Sequence, residues 1–237
     1  MQTKLITRPN TLTVLNLVCG AWGAVAALVC GNLTLAFGLM VAGAVFDFFD
    51  GFVARRLRQE GKMGIELDSQ ADNVTFGFLP AAILFVLFGR MPGWSAMPDW
   101  VGFLLFFYAG FTALRLAKFN IDDTQHEEFC GLPSPAAALL CASLGLLSER
   151  QGLCLPREII LLVALAVGLL MISSVRMFSF KFAGFGWKGN GLRYSFLALS
   201  ILLLVVLRWW AVPVIIVLYI LVSWGRRFVC PKCGHKA

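Results

Sequence analysis

Residues 47–72 read DFFDGFVARRLRQEGKMGIELDSQAD, and the four aspartates in this stretch are the strongest guide to the fold. Asp47 and Asp50 are three residues apart, and Asp68 and Asp72 are four apart. On a helix, both spacings place the two side chains of a pair on one face. Both pairs adjoin long apolar segments, where carboxylates are costly and usually functional. Two helices presenting two carboxylates each to one cleft form an oxygen-rich site, which suits Mg2+ or Mn2+ better than zinc.

The composition outside this stretch is typical of an integral membrane protein. The chain has 237 residues, of which 59% are hydrophobic, and its mean hydropathy is +0.81. Soluble domains are nearer half apolar, and long apolar runs indicate membrane spans. We predict an all-α, polytopic membrane bundle over residues 1–229, followed by a short tail at 230–237. Eight spans are expected, at about 11–30, 33–54, 66–89, 99–119, 133–149, 156–175, 193–208 and 210–225.

The basic residues indicate the orientation of these spans. The net charge of +7 could suggest a nucleic-acid partner, but its distribution argues against one. If the N-terminus is cytoplasmic, all of the 20 Lys and Arg residues face the cytoplasm except Arg90, Arg150, Arg157 and Arg208. This is the positive-inside pattern. We therefore expect a protein of the cytoplasmic (inner) membrane, with the aspartates and both termini on the cytoplasmic side and a basic rim that attracts anionic lipid headgroups.

Small and basic residues accompany the aspartates. Gly51 and Ala54 share the helix face of the first pair and would let a ligand approach closely. Arg55 follows at the end of the span, where its planar guanidinium could bind phosphate oxygens. Gly64 precedes the second pair on the same face. A single acid near a span end often caps a helix or pairs with a cation, as Asp50 could with Arg55, but four acids with these neighbours favour a functional site.

The spacing D-x2-D-G-x2-A-R-x8-G-x3-D-x3-D resembles the signature of the CDP-alcohol phosphatidyltransferase family, and every fixed position is present. The sequence Arg8–Thr13 is similar to the family's Pro-Asn-x-x-Thr at the start of its first span. The resemblance implies CDP-diacylglycerol as donor and two divalent ions, with Asp47 and Asp68 contacting both. It also implies that Asp50 contacts one ion, and that Asp72 contacts the other and serves as general base. The implied contacts to CDP-diacylglycerol come from Gly51, Ala54, Arg55, Gly64, Asn10 and Thr13.

Three further stretches resemble members of this family that use L-serine, the integral-membrane phosphatidylserine synthases. Asp68–Ala81 is similar to their D-S-L-A-D-x-V-S-F-G-x-x-P-A, and Phe129–Ala138 matches their F-x-G-L-P-x-P-A-A-A. Arg115–Asn120 looks like their R-L-A-R-F-N, with Lys118 in place of the second Arg. This likeness implies L-serine as the acceptor.

Arg115 and Lys118 could clamp the serine carboxylate, because residues three apart share a helix face. Asn120 could hold the hydroxyl or the amine. Alternatively, both cations are anchors that extend to lipid headgroups.

Other readings of the sequence stay open. A glycerol 3-phosphate or inositol phosphate acceptor would need a basic site, which Arg176, Lys181, Lys188 and Arg193 could supply. A transporter or channel would also carry acids within its spans, although their clustering at one membrane face beside an arginine favours an enzyme.

The tail 230–237 contains Cys230, Cys233 and His235, which resemble half of a zinc site. A homodimer could complete four ligands, although reduced, unliganded thiols are the simpler expectation. His126 lies in an acidic loop that reads as solvated, so a second metal site there is not expected.

Overall fold

The computed structural model describes residues 7–57, 61–94, 97–121, 129–177 and 191–229, and most of these are helical. A π-helical turn, Asn73–Phe78, joins α3 to α4, and a 3-10 helix, Asp99–Phe106, precedes α5. A second 3-10 turn, Arg208–Trp210, joins α8 to α9. The α-helices are α1 (Arg8–Leu28), α2 (Leu33–Leu57), α3 (Lys62–Asp72), α4 (Leu79–Arg90), α5 (Phe107–Ile121), α6 (Ser134–Gln151), α7 (Arg157–Ile172), α8 (Gly191–Leu207) and α9 (Ala211–Val229).

The prediction of a polytopic helical membrane protein is confirmed. Within the described residues, five helical stretches are long and apolar enough to cross a membrane: 8–28, 33–57, 62–90, 99–121 and 193–225. The last of these folds back on itself, as the distance of 6.2 Å between the rings of Phe196 and Tyr219 shows. Along one straight helix they would be about 35 Å apart. With α6 and α7, which have 18 and 16 residues, the predicted eight spans each correspond to a helical stretch.

Helix α1 begins at Arg8, before the predicted start of the first span, because the local sequence caps it there. The hydroxyl of Thr7 accepts a hydrogen bond from the Asn10 N–H at 3.4 Å. Pro9 lies in the first turn, where a helix needs no N–H. The cap brings Asn10, Thr13 and Asn16 into helix α1, at a spacing that puts them on one face.

Helices α1 and α2 and the π-helical turn cross closely through two glycines. A Cβ added at Gly43 would lie 2.8 Å from the Thr75 side chain and 2.9 Å from Asn16 Oδ1, and one added at Gly20 would overlap Thr75. The π-helical turn carries Thr75 into this crossing, where its hydroxyl donates to the Asn16 carbonyl at 3.0 Å. The glycines thereby let three elements meet directly beside the aspartates.

The opposite end of the bundle contains the predicted outward-facing arginines, and acids or a ring accompany three of them. Arg90 pairs with Glu149 at 3.2 Å, and Arg157 pairs with Asp99 at 2.8 Å. Arg150 lies over the Trp209 ring, 5.9 Å from its centroid. The charges at this end are therefore largely balanced locally, whereas the acids at the other end collect in the aspartate cluster.

Glu149 also closes the start of α2. Its carboxylate accepts hydrogen bonds from the N–H groups of Leu33 and Thr34 at 2.8 and 2.7 Å, and from the Thr34 hydroxyl at 2.7 Å. We expect Glu149→Ala to lower the free energy of unfolding by about 1–2 kcal/mol, because it removes a helix cap and an ion pair. Thermal unfolding in detergent measures this loss. Gln151→Ala, an exposed change two residues away, is the control, and an equal melting temperature for both variants would contradict the role of Glu149.

A two-residue ladder is a small local addition to the all-α fold. Phe129–Cys130 pairs antiparallel with Arg176–Met177. Gly131 follows with a φ of +80°, and its N–H donates to the Val175 carbonyl at 2.8 Å. The left-handed conformation explains why glycine stands in the Gly-Leu-Pro sequence. The ladder ties the start of α6 to the end of α7 and so fixes the position of Ser134.

Candidate metal and substrate site

The four aspartates converge, as the sequence predicted. Asp47 and Asp50 project from α2 and Asp68 from α3, and each offers a carboxylate oxygen within 4.8 Å of the other two. Asp72, one turn after Asp68, lies beside Asp47 and Asp68. Asp50 and Asp72 are only 5% and 9% exposed, so the cluster is largely withdrawn from solvent.

The donor set of this cluster fits divalent cations. Asp68 Oδ1 is buried and accepts no hydrogen bond within the described residues. The side chains that donate to Asp50 and Asp72 are neutral, and neither ion pair found among the described residues includes an aspartate of the cluster. An uncompensated buried carboxylate is strongly destabilising. Mg2+ and Mn2+ prefer oxygen ligands, and this cluster offers carboxylate oxygens.

Two side chains of helix α1 donate hydrogen bonds to aspartates of the cluster. Thr13 Oγ1 donates to Asp50 Oδ2 at 2.7 Å, and Asn16 Nδ2 donates to Asp72 Oδ1 at 3.2 Å. Asn16 is fully buried. The sequence reasoning assigned Thr13 to CDP-diacylglycerol and missed Asn16. In the structure the Thr13 hydroxyl contacts a carboxylate instead, because α1 and α2 pack directly against each other.

Arg55 and Gly51 adjoin each other on the other flank of the cluster. Among the described residues, a Cβ at Gly51 would meet only the Arg55 guanidinium, at 3.9 Å. Arg55 is exposed, and neither ion pair found among the described residues includes it. Asp50 accepts a hydrogen bond from Thr13 and forms no ion pair with Arg55.

Gly64 faces helix α1. Helix α3 starts at Lys62, four residues before the predicted span, so Gly64 lies inside the helix. A Cβ there would be 3.7 Å from Asn10 Oδ1. Asn10 and Gly64 thus lie together across the α1–α3 contact. Ala54 is partly exposed on α2, one turn beyond Asp50. The assignment of these three residues to CDP-diacylglycerol stays a prediction.

Arg115 points into the protein, contrary to its reading as a lipid anchor. Its Nη1 donates to Ser134 Oγ at 2.5 Å, and its Nε is buried without a hydrogen-bond partner among the described residues. The guanidinium also lies near Asp72 and Tyr219. Ser134 begins α6 directly after the Gly-Leu-Pro sequence, so the ladder at Gly131 positions this contact.

Lys118 and Asn120 point away from Arg115, in different directions. Lys118 is exposed, whereas Arg115 is turned inward, so their three-residue spacing does not bring the two cations together. Asn120 Nδ2 donates to Ser69 Oγ at 2.8 Å and so links α5 to α3 beside Asp68. Of the two cations in the predicted clamp, Arg115 alone is turned inward, and serine binding by Arg115 stays a prediction.

Some predicted features lie outside the described residues. These are His126, Lys181, Lys188, the side chain of Arg176, and the tail 230–237 with Cys230, Cys233 and His235.

Comparison with known proteins decides the family. A model of the CDP-alcohol phosphatidyltransferase family matches residues 6–171, well over half of the chain, and this region includes all four aspartates. The chain belongs to the CDP-alcohol phosphatidyltransferase family. The resemblance seen in residues 47–72 is thereby confirmed.

Several relatives are named CDP-diacylglycerol–serine O-phosphatidyltransferase. One from Mycobacterium tuberculosis is 38% identical over 150 residues, covering 60% of this chain and 49% of the relative. One from Helicobacter pylori is 34% identical over 154 residues, covering 63% of each chain. One from Methanocaldococcus jannaschii is 33% identical over 173 residues, covering 73% of this chain and 74% of the relative. The chain thus spans about half the length of the mycobacterial relative and more of the others.

Proposed function

We propose that this protein transfers the phosphatidyl group from CDP-diacylglycerol to L-serine, giving phosphatidylserine and CMP. The observation that carries the serine assignment is Arg115, which Ser134 holds near Asp72 and whose Nε–H has no hydrogen-bond partner among the described residues. A carboxylate is the natural acceptor for such a guanidinium. A serine bound there would have its hydroxyl directed toward the aspartates, and the names of the relatives point to the same acceptor.

In the proposed binding mode, different residues around the cluster bind the metal ions, the diphosphate and the nucleotide. Asp47, Asp50, Asp68 and Asp72 would hold two Mg2+ or Mn2+ ions. Bound ions supply charge neutralisation at the diphosphate and at the leaving CMP. Arg55, beside Gly51, would bind the diphosphate, with Ala54, Gly64 and Asn10 lining the nucleotide's approach. The acyl chains would lie in the bilayer.

The proposed reaction is a single in-line displacement. The serine hydroxyl oxygen forms a bond to the β-phosphorus, and the bond from that phosphorus to the bridging oxygen of CMP breaks. CMP leaves with the electron pair. Asp72 accepts the hydroxyl proton, since it lies near Arg115 and is held by Asn16. A carboxylate is a weak base for an alcohol, so positioning must supply much of the rate enhancement.

We further propose that the protein lies in the cytoplasmic membrane, with the aspartate cluster and both termini facing the cytoplasm. The positive-inside distribution supports this orientation, and so does the local pairing of arginines at the opposite end. A homodimer joined through the 230–237 tails is a prediction from the cysteine spacing alone.

One assay tests the acceptor. Purified protein with CDP-diacylglycerol and Mn2+ should release CMP when L-serine is added. It should do so much more slowly with glycerol 3-phosphate, inositol or inositol phosphate. Thin-layer chromatography of the lipid product should show phosphatidylserine. Preference for glycerol 3-phosphate would overturn the serine assignment while leaving the family membership intact.

Asn16 provides a second test of the geometry. We expect Asn16→Ala to lower kcat about tenfold or more, because Asp72 loses its hydrogen-bond donor from α1, with KM for CDP-diacylglycerol changed less than twofold. Asn32→Ala is the matched control: it removes a hydrogen bond to the Leu35 N–H at the opposite end of the bundle. If both variants lose stability alike and neither loses kcat, Asn16 has no role beyond packing.

A further inference from the structure

A groove lies between the start of α1 and the end of α2, and none of the four aspartates is among its lining residues. Its volume is about 500 Å3, within the range that small ligands occupy. Leu12, Val53 and Leu57 form apolar walls, and Arg8 and Arg56 stand in the same lining. The sixth lining residue, Thr11, is exposed, and none of the lining residues that the structure describes is acidic. The groove therefore combines two positive charges with an apolar surface.

Neither arginine is neutralised within the described part of the chain. Arg8 and Arg56 are both exposed, and the two ion pairs found there, Arg90–Glu149 and Arg157–Asp99, include neither. Arginine binds phosphate oxygens through a planar pair of donors, and two arginines facing one groove attract an anion strongly. The apolar walls disfavour a free anion, because binding there would remove part of its hydration shell. They would accept the first carbons of an acyl chain.

The groove differs from the substrate site in the arginine it uses. Arg55 lies against Gly51, on the flank of the cluster, whereas Arg56 lines the groove, about 100° further around α2. None of the four aspartates lines the groove. A phosphate held by Arg8 and Arg56 is therefore not the diphosphate that the aspartates would contact through metal ions.

We propose that this groove binds the headgroup phosphate of an anionic phospholipid, with the start of an acyl chain along Leu12, Val53 and Leu57. The lipid would lie between the two helices that the Thr13–Asp50 hydrogen bond joins, since Leu12 precedes Thr13 and Val53 follows Asp50 by one turn. The site goes beyond the proposed function, and its occupant is not consumed.

The test is lipid binding to the purified full-length protein, followed by native mass spectrometry in detergent. Dioleoyl-phosphatidylglycerol and dioleoyl-phosphatidylcholine have the same chains and differ in net charge. The wild type should retain one phosphatidylglycerol about tenfold more tightly than phosphatidylcholine. Arg8→Gln and Arg56→Gln should each weaken that binding about tenfold, the effect of losing charge-assisted hydrogen bonds. Lys62→Gln, an exposed cation on the same membrane face, is the control and should leave it unchanged.

Two further arms keep the result decisive. Thr11→Glu puts a negative charge into the groove with both arginines intact, and it should also weaken phosphatidylglycerol binding. Glycerol 3-phosphate, which has the phosphate but no chains, should not compete. Equal retention of the two lipids, or equal loss in Lys62→Gln, would overturn the proposal. It would also be overturned if CDP-diacylglycerol displaced phosphatidylglycerol one for one and both arginine variants weakened CDP-diacylglycerol binding equally.

Discussion

Replacing Asp68 by Asn is expected to lower turnover at least a hundredfold. The substitution keeps the shape of the side chain and removes the charge. Asp68 Oδ1 is a buried oxygen that has no hydrogen-bond partner among the described residues, so an amide there would place an unsatisfied polar group where a cation should bind. Metal-based charge stabilisation supplies several kcal/mol to a phosphoryl transfer, and each 1.36 kcal/mol corresponds to about tenfold in rate.

The matched control for this change is Glu66→Gln. Glu66 lies two residues before Asp68 on the same helix and is exposed, so the variant loses the same charge outside the cluster. Mn2+ binding, followed by electron paramagnetic resonance in detergent, gives a readout independent of turnover. We expect weaker Mn2+ binding in Asp68→Asn alone. Wild-type turnover and Mn2+ affinity in that variant would end the two-metal interpretation of the cluster.

The carboxylate cluster was predictable because helical periodicity is a local property of the chain. Spacings of three and four residues fix which side chains share a face, and alternating spans bring the end of α2 beside the start of α3. Asn16 was missed because its role comes from a contact 56 residues away, with Asp72. The available signal was a polar residue three after Thr13 on the same face of an apolar helix.

Other parts of the structure depend on backbone geometry that the apolar pattern does not encode. The π-helical turn Asn73–Phe78 looks like ordinary helix in the sequence, yet it directs Thr75 toward α1. The ladder at Phe129–Cys130 is only two residues long, too short for any periodicity to show. Its mark in the sequence was Gly131, whose positive φ excludes most other residues.

Arg115 and Lys118 show where periodicity stops being sufficient. Their spacing predicted one face and therefore one clamp, but long side chains leave the helix in directions that their neighbours set. Ser134 draws Arg115 inward, whereas Lys118 remains exposed. The sequence predicted the same role for Arg115 and Lys118. Because the structure places only Arg115 inward, we expect substitutions at the two positions to have different effects.

Arg115→Ala is expected to raise the KM for serine about tenfold to more than a hundredfold. The lost charge-assisted hydrogen bonds to the serine carboxylate would be worth roughly 1.5–3 kcal/mol. The KM for CDP-diacylglycerol should change little, because Arg55 and the aspartates hold that substrate in the proposed binding mode. Steady-state CMP release with each substrate varied in turn separates the two constants.

Lys118→Ala removes a cation three residues away on the same helix and should leave the serine KM within about twofold, since the side chain is exposed. Ser134→Ala should raise it by a smaller factor than Arg115→Ala, because it frees the guanidinium without removing it. This order of effects follows from one buried guanidinium whose Nε–H has no hydrogen-bond partner among the described residues. An unchanged serine KM in Arg115→Ala would instead leave Arg115 a structural role between α5 and α6.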